Sequence, residues 1–131
     1  MNFTAIALSA FSRVVLVVLW WSPPVFLGRW MKLTQHTPET VKHVQLGGTI
    51  LAVAGSLIMA TVFEFVIVRI GVQTVLDGGL AGLTVWVGFV LPPMLSPVVY
   101  ERKSFELFLI NSGFQLVALL SMGAVLAAFI K

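Results

Sequence analysis

The chain has 131 residues, of which 59% are hydrophobic and only 10% are charged, with a net charge of +3 and no cysteine. Soluble domains are about 25% charged, so a soluble fold of this length would lack the polar residues to cover its apolar surface. The composition therefore excludes a soluble globular domain, a nucleic-acid-binding surface, a disulfide framework and a cysteine nucleophile, and it indicates a single integral membrane domain over residues 1–131.

Four apolar segments are long enough to cross a membrane as helices, which takes roughly 20 residues each: 3–21, 45–68, 78–99 and 105–130. Each run is continuous, whereas the strands of a transmembrane β-barrel alternate. We therefore predict an all-α membrane protein, a four-transmembrane-helix bundle with both termini on the same side. No cleavable signal peptide is expected, because the start lacks a basic region and Arg13 interrupts the first apolar run.

The first helix carries Arg13 near its middle. An arginine at the centre of a span costs roughly 2.5–3.5 kcal/mol on insertion scales. We therefore expect it to face the bundle interior, a water-filled cavity or a partner. In an alternative register, residues 1–12 lie in the interface, and residues 14–31 form the span with a kink at Pro23–Pro24.

The longest connection, residues 22–44, begins where the first helix leaves the bilayer. Pro23 and Pro24 cannot continue the hydrogen bonding of the helix behind them. Tryptophan and basic side chains on both sides of them are typical of a membrane interface. The predicted interface residues are Trp20, Trp21, Phe26, Arg29, Trp30 and Lys32, with Tyr100 at the end of the third helix.

The second helix is predicted to begin before it enters the membrane. Thr37, Pro38 and Glu39 fit its N-cap, its first position and a first-turn acid. Small residues then recur every four positions and form a stripe that permits close helix packing. This stripe consists of Gly48, Ala52, Ser56 and Ala60.

Glu64 occupies the next position of that stripe. An acid on a packing face inside a membrane is a candidate functional residue. The simpler interpretation, which we expect to hold, is an interfacial acid close to Arg69 and Asp77.

The third helix is predicted to be capped by Asp77. Gly78 and Gly82 follow as a GxxxG pair, which favours close packing of a second helix, and Trp86 lies on the same face. The spacing therefore predicts that this face is turned towards another helix.

The third span ends like the first, in a tryptophan followed by a Pro-Pro pair that we expect to break the helix. The prolines at this exit are Pro92, Pro93 and Pro97. Downstream of the two exits, residues 45–52 and 111–118 match weakly, which aligns Gln45 with Asn111. Such a repeat would make the fold two helical hairpins of the same orientation.

The fourth helix is predicted to begin with Ser104 as its N-cap and Glu106 in its first turn. Asn111 and Gln115 then lie on one face, four residues apart. Both amides are polar groups inside an apolar span, so each needs a partner there.

One polar site is therefore predicted inside the membrane. At the rise of an α-helix, Arg13, Asn111 and Gln115 all lie about 10–16 Å from the same end of their helices. They are either a hydrogen-bonded cluster that locks the first helix to the fourth, or, with Trp86, a site for an anion or a polar headgroup, or a site that a carboxylate from another chain occupies.

Loop charges predict the orientation, because basic residues favour the cytoplasmic side. The first and third loops, residues 22–44 and 100–104, hold Arg29, Lys32, Lys42, Arg102 and Lys103, whereas the other side holds Arg69 and Lys131. We therefore expect these two loops in the cytoplasm and both termini outside, in a bacterial cytoplasmic membrane.

The stretch LWWSPPVFLGRWMKL resembles the opening signature of a family of small bacterial membrane proteins, domain of unknown function 1761. Members typically have Leu-Trp-Tyr-Ser-Pro, a few apolar residues, and then Gly and Trp. The matching residues are Leu19, Trp20, Ser22, Pro23, Gly28 and Trp30, with Trp21 in place of Tyr. Residues 86–90, Pro92, residues 100–101 and residues 109–114 are similar to the third and fourth helices of the family, which often has His where this chain has Gln115. The resemblance implies a four-helix integral membrane protein and no known activity.

Residues for catalysis or metal binding are not apparent. His36 and His43 are the only histidines, and a metal site needs three or four convergent ligands. We therefore expect no metal and no cofactor. The sequence also lacks a Ser-His-Asp set, paired acids and a phosphate-binding loop.

We accordingly expect a non-enzymatic membrane protein, most simply a structural or accessory subunit that packs with other membrane chains or with itself. Its small-residue stripe, and Arg13 without an acid at its own depth, favour that role. The alternative is binding or transport of a small molecule or lipid at the site around Arg13, Asn111 and Gln115. Membrane lipids surround the protein in either case, and no nucleic acid is expected as a partner.

Overall fold

The computed structural model describes residues 2–129, apart from the side chain of Pro23, and nearly all of them are helical. Four helices are long and apolar enough to cross a membrane: Phe3–Trp20, Pro38–Ile70, Val75–Tyr100 and Phe105–Phe129. The predicted all-α membrane fold is therefore confirmed. Ile130, the end of the fourth predicted span, and Lys131, which was counted in the loop charges, lie outside the described residues.

The helical elements are α1 (Phe3–Trp20), a first π segment (Pro23–Leu27), α2 (Gly28–Thr34), α3 (Pro38–Ile70), α4 (Val75–Val85), a second π segment (Trp86–Val90), α5 (Leu91–Tyr100) and α6 (Phe105–Phe129). A π segment has one residue more per hydrogen-bonded turn than an α-helix. The third span is thus α4, the second π segment and α5 in one continuous helix.

Side-chain caps fix where three of the long helices begin. The side-chain oxygens of Asn2, Thr37 and Ser104 accept hydrogen bonds from first-turn backbone N–H groups of α1, α3 and α6. Pro38 follows Thr37 at the first position of α3. The N-caps predicted at Thr37 and Ser104 are confirmed, because each depends on local sequence alone.

Thr74 caps α4, so the prediction of Asp77 as the cap was wrong. The backbone of Thr74 is extended (φ −115°, ψ 154°), and its hydroxyl oxygen accepts a hydrogen bond from the N–H of Asp77 at 3.1 Å. Asp77 lies in the first turn, where a carboxylate is favoured by the positive end of the helix dipole.

The prolines of the third span do not break its helix, which continues to Tyr100. The N–H of Leu91 donates to the carbonyl of Trp86, five residues back, and this closes the second π segment. Pro92 and Pro93 then occupy the first turn of α5, where a proline without an N–H is tolerated. The expected break is absent because the wider π turn comes before the prolines.

The central helix is α6, which packs against both α1 and α4, while α3 packs mainly against α1. Ser9 of α1 donates to the carbonyl of Met122 at 3.4 Å, and Asn2 donates to the carbonyl of Phe129 at 2.5 Å. These pairs make α1 and α6 antiparallel. They also bring the two ends of the described chain together, as the prediction of both termini on one side requires.

The hydrophobic core lies at the end of the bundle that holds Asn2 and Phe129, which we call the terminal end. Small and branched side chains of α1, α3 and α6 meet there. The buried core residues are Ala5, Ile6, Ala10, Ala60, Phe63, Ile67, Leu119, Met122 and Leu126. The opposite end, which holds α2 and residues 101–104, is packed less densely.

The closest approach between helices joins α4 to α6. A Cβ built on Gly78 would lie 2.2 Å from the carbonyl oxygen of Gly123, and one on Gly82 would lie 2.3 Å from the carbonyl oxygen of Leu119. Only glycine leaves room for this contact, so Gly78 and Gly82 hold the position at which α4 crosses α6.

Only part of the small-residue stripe of α3 is buried against other helices of the chain. Ser56 and Ala60 are buried, Ala52 is partly buried, and Gly48 is exposed, with nothing within 4 Å of a Cβ built on it. Gly48 therefore packs against no other helix of the described chain. The reason is length, since the 33 residues of α3 extend over about 50 Å, well beyond the part of the helix that α1 covers.

Glu64 is not the interfacial acid that was expected. Only 4% of its surface is exposed, because it continues the buried face of Ser56 and Ala60. Arg69 instead places its guanidinium 4.7 Å from the centre of the Phe65 ring, and Asp77 is exposed on α4.

Candidate functional site

A groove opens at the end of the bundle opposite the terminal end, which we call the groove end. Its walls are α2 and α5, and its floor is the first two turns of α6. Its volume is about 720 Å³, and small-molecule sites in proteins range over roughly 300–1,000 Å³. The apolar residues that line it are Leu33, Pro93, Met94, Pro97, Val98, Leu107 and Phe108.

The polar residues of the groove are divided between its rim and its inner end. Glu101, Arg102 and Lys103 are exposed at the rim. Asn111 is partly buried and lies about 10 Å further along α6 than Ser104. No hydrogen bond engages the Asn111 side chain within residues 2–129, so its amide is available to a molecule in the groove.

Two residues of the groove have left-handed backbone conformations, Gln35 with φ 60° and Arg102 with φ 54°. Neither is a glycine, and this region costs a side-chain-bearing residue roughly 1–2 kcal/mol. Gln35 ends α2, and Arg102 lies in the turn between α5 and α6. Such backbone conformations are concentrated at functional sites, and here both border the same groove.

Each wall of the groove follows a π segment, and each π segment is joined to α6 by a tryptophan. The indole N–H of Trp20, just before the first π segment, donates to the carbonyl of Ile110 at 3.1 Å. The indole N–H of Trp86, in the second, donates to the carbonyl of Ser112 at 2.8 Å. The two bonds flank Asn111 and so position both walls around the groove floor.

The Arg13 guanidinium lies outside the groove, between α1 and α3. Its Nη1 donates to the hydroxyl of Ser56 at 2.9 Å, and its Cζ lies 5.2 Å from the centre of the Phe114 ring. Arg13 is the eleventh residue of the 18 in α1. The helix therefore includes Arg13 near its middle and ends before Pro23. This is the arrangement of the register in which residues 3–21 form the first helix.

The four residues proposed as one site are not joined by hydrogen bonds within residues 2–129. Arg13 is bonded to Ser56, Asn111 lines the groove, and Trp86 donates to the backbone of α6. The Oε1 of Gln115 is buried without a partner. Each of these side chains therefore has its own surroundings, and the predicted hydrogen-bonded cluster does not form among them.

Two residues predicted for an interfacial belt pack against α6. The Trp20 and Trp21 rings lie 6.1 Å and 4.8 Å from the Phe114 ring, between centroids. Trp30 stacks on His36 at 5.0 Å. Of the remaining interface residues, Lys32 and Tyr100 are exposed, and Arg29 forms an ion pair.

That ion pair connects the two halves of the chain. The guanidinium of Arg29 in α2 makes two hydrogen bonds of 2.5 Å to the Glu106 carboxylate in α6. Donation of these hydrogen bonds to the carboxylate raises the pKa of the Arg29 guanidinium above its ordinary value, so the pair remains charged throughout the neutral range. Its structural effect is to hold the α2 wall beside the groove floor.

The histidines have no metal-site geometry. The Nδ1 of His36 is 3.1 Å from the hydroxyl oxygen of Thr40, and His43 is exposed. Within residues 2–129, no three His, Cys, Asp or Glu side chains are close enough together to hold a metal ion.

The groove walls were not predicted from the sequence. Met94, Pro97 and Val98 lie in a stretch expected to be a broken helix exit, and Leu33 and Gln35 lie in a stretch expected to be a loop. The ion pair that joins these segments links Arg29 to Glu106, 77 residues away, and several charged residues near each of them left the pairing open from the sequence.

Comparison with known proteins identifies a family but no function. A family model described as "Protein of unknown function (DUF1761)" matches residues 4–127. No curated protein and no solved structure matches the chain. The groove and the arginine between α1 and α3 are therefore the observations from which a function has to be argued.

Proposed function

The chain belongs to the DUF1761 family, and we propose that it is a non-enzymatic integral membrane protein that binds a small amphiphile in the groove between α2, α5 and α6. The observation that supports this most directly is the groove itself, which has apolar walls, a charged rim and a free amide at its inner end. Ligand pockets commonly combine an apolar lining with a few such polar groups.

The charges at the rim favour a ligand with an anionic end. Arg102 and Lys103 provide two positive charges, against one negative charge from Glu101. An amphiphile whose carboxylate or phosphate lies at this rim would place its apolar part between Met94 and Leu107. A polar group further along the molecule would reach the amide of Asn111.

In this proposal the groove end faces the cytoplasm of a bacterial cell. Five basic residues at or near this end, Arg29, Lys32, Lys42, Arg102 and Lys103, support that orientation through the preference of basic loops for the cytoplasmic side. The groove would then take its ligand from the inner leaflet or from the cytoplasm.

Photolabelling in membranes tests this function. A diazirine-bearing fatty acid is expected to label residues 93–111 above the level found on other exposed helices, and the matching fatty alcohol to label them less. Met94→Trp would fill the groove and reduce that labelling. Val87→Trp is the matched control, because Val87 is 51% exposed on the second π segment and lies outside the groove. Uniform labelling of all lipid-facing helices, or labelling unchanged by Met94→Trp, would refute the groove as a binding site.

A second candidate function is that of a structural or accessory subunit within an oligomer or a larger membrane complex. The exposed half of the α3 stripe favours it, because nothing lies within 4 Å of a Cβ built on Gly48 or on its neighbour Gly47. A helix of a second chain could approach α3 closely there, as small residues allow in membranes.

The stripe can be blocked without disturbing the chain itself. Gly48→Leu adds a side chain where nothing lies within 4 Å, and Gly88→Leu does the same on the second π segment. If α3 docks a partner chain, particle mass in mild detergent should fall for Gly48→Leu only. Equal masses for the wild type and both variants would argue against an accessory role through this stripe.

A further inference from the structure

The helices α1 and α3 separate at the level of Arg13 and Ser56. Towards the terminal end their facing residues are buried, as Ala10 and Ala60 show, with 4% and 0% exposure. Towards the groove end no residue of α3 from 38 to 55 is buried, and Val17 of α1 is only partly buried. A cleft therefore opens between the two helices, and its closed end is the hydrogen bond from Arg13 to Ser56.

The Arg13 guanidinium is only partly satisfied at the closed end of this cleft. Nη1 donates to Ser56, whereas Nε is buried without a partner and Nη2 makes no hydrogen bond within residues 2–129. A second unpartnered donor, the indole N–H of Trp21, is nearby, because Trp21 and Arg13 both contact the Phe114 ring. All of these free groups are donors, which is the arrangement that recognises an oxyanion.

No carboxylate of residues 2–129 balances the charge of Arg13. The one ion pair in that part of the chain joins Arg29 to Glu106. Glu64 faces the same interface but lies about 12 Å further along α3 than Ser56, towards the terminal end. An arginine at membrane depth without a counter-charge is costly, so a group from outside the chain is needed to neutralise it.

We propose that the cleft between α1 and α3 is an anionic lipid site, in which Arg13 binds the phosphate of a phospholipid headgroup and the acyl chains lie along the exposed face of α3. Two observations favour a lipid over a dissolved ion. The part of α3 between Ser56 and the groove end carries exposed apolar side chains, among them Leu46 and Ile50, which are 73% and 60% exposed. Arg13 is also about 10 Å from the end of α1 at Trp20, a depth that a headgroup reaches when a long side chain extends towards it and the bilayer thins locally. This site is separate from the groove and does not depend on the function proposed for it.

Tryptophan quenching by brominated lipids provides the test, since Trp20 and Trp21 follow Arg13 on α1 by about 10–12 Å. The full chain is placed in nanodiscs that contain phosphatidylcholine with a small fraction of brominated phosphatidylglycerol, or of brominated phosphatidylcholine. In the wild type, brominated phosphatidylglycerol should quench tryptophan fluorescence more strongly than the same fraction of brominated phosphatidylcholine, and we call this difference the preference for anionic lipid. Arg13→Gln should weaken that preference about tenfold or more, which corresponds to about 1.4 kcal/mol, and Arg13→Lys should retain part of it. Arg69→Gln is the matched control, because it removes one exposed positive charge at the terminal end and should leave the preference intact.

Each outcome decides the proposal. Loss of the preference in Arg13→Gln, with retention in Arg69→Gln and no displacement by excess inorganic phosphate, supports a lipid site. Displacement of the brominated phosphatidylglycerol by inorganic phosphate would show that Arg13 binds a dissolved anion, and it would overturn the proposal of a lipid site. Equal quenching by both lipids in the wild type would overturn the site altogether. If Arg13→Gln does not fold, Arg13→Lys and Ser56→Ala, which both keep the charge, take its place. Each should lower the preference without abolishing it, and an unchanged preference in both would overturn the site.

Discussion

Replacing Gly78 with alanine places a methyl group where the backbones of α4 and α6 touch. The new Cβ would lie 2.2 Å from the carbonyl oxygen of Gly123 and 2.7 Å from the Cβ of Ala127. The oxygen belongs to a backbone and cannot rotate away, so α4 has to move outward. The neighbouring Gly79 has nothing within 4 Å of an added Cβ, which makes Gly79→Ala the matched control in the same helical turn.

The expected loss of stability follows from the size of that movement. A shift of about 1 Å is needed to restore ordinary contact, and a gap of 0.5–1 Å forfeits about a quarter to a half of each dispersion contact. Because Gly82 touches Leu119 one turn away, that contact opens as well. Overpacking of this kind costs about 1–3 kcal/mol. The gain in helix propensity from glycine to alanine, about 0.8–1.0 kcal/mol, is common to both variants and cancels in their difference.

The measurement is thermal unfolding of the two variants in one detergent, followed by tryptophan fluorescence or near-ultraviolet circular dichroism. Gly78→Ala should be less stable than Gly79→Ala by about 1–3 kcal/mol, a difference of several degrees in Tm for a chain of this size. Gly78→Ala combined with Gly82→Ala should cost less than the sum of the single changes, since both separate the same two helices. Equal stability of Gly78→Ala and Gly79→Ala would refute the close contact between α4 and α6.

Three further outcomes are expected from single substitutions. Trp86→Phe removes the N–H that donates to Ser112 and should cost about 0.5–1 kcal/mol of unfolding free energy, the usual value of a hydrogen bond between membrane helices. Gln115→Leu removes a buried oxygen without a partner and should stabilise the protein by up to about 1 kcal/mol, whereas a loss of stability would show that the amide has a partner from outside the chain. Glu106→Gln breaks the exposed ion pair with Arg29 and should lower Tm slightly at low salt and not at high salt, which scans at two ionic strengths will detect.

The parts of the fold that depend on neighbouring residues could be predicted from the sequence. Thr37 and Ser104 cap their helices because a side-chain oxygen three residues before an N–H needs nothing else from the structure. The long apolar runs predict the four spans for a similar reason. Unpaired backbone groups are costly in lipid, and in a continuous apolar segment only a helix pairs them all. Gly78 and Gly82 marked a packing face, although nothing local showed that Gly123 would be on the other side.

The groove could not be predicted, because it depends on contacts between distant residues. The α2 wall is held by the pairing of Arg29 with Glu106, and the α5 wall exists because a π turn lets the helix continue through Pro92 and Pro93. Neither a long-range ion pair nor the insertion of one residue into a helical turn leaves a periodic signal in the sequence. Asn111 was identified as a polar residue in a span, but its surroundings could only come from the structure.

The groove has two similar walls, each after a π segment, and one floor, which is α6. Trp20 and Trp86 each hold a π segment to α6, through the carbonyls of Ile110 and Ser112. The stretch of α3 that matches residues 111–118 of α6 in sequence, residues 45–52, is exposed apart from Ala52, which is partly buried. Only α6 therefore provides a floor, and both walls are attached to it. Because residues 45–52 of α3 are exposed, this part of α3 does not serve as a second floor of the same kind.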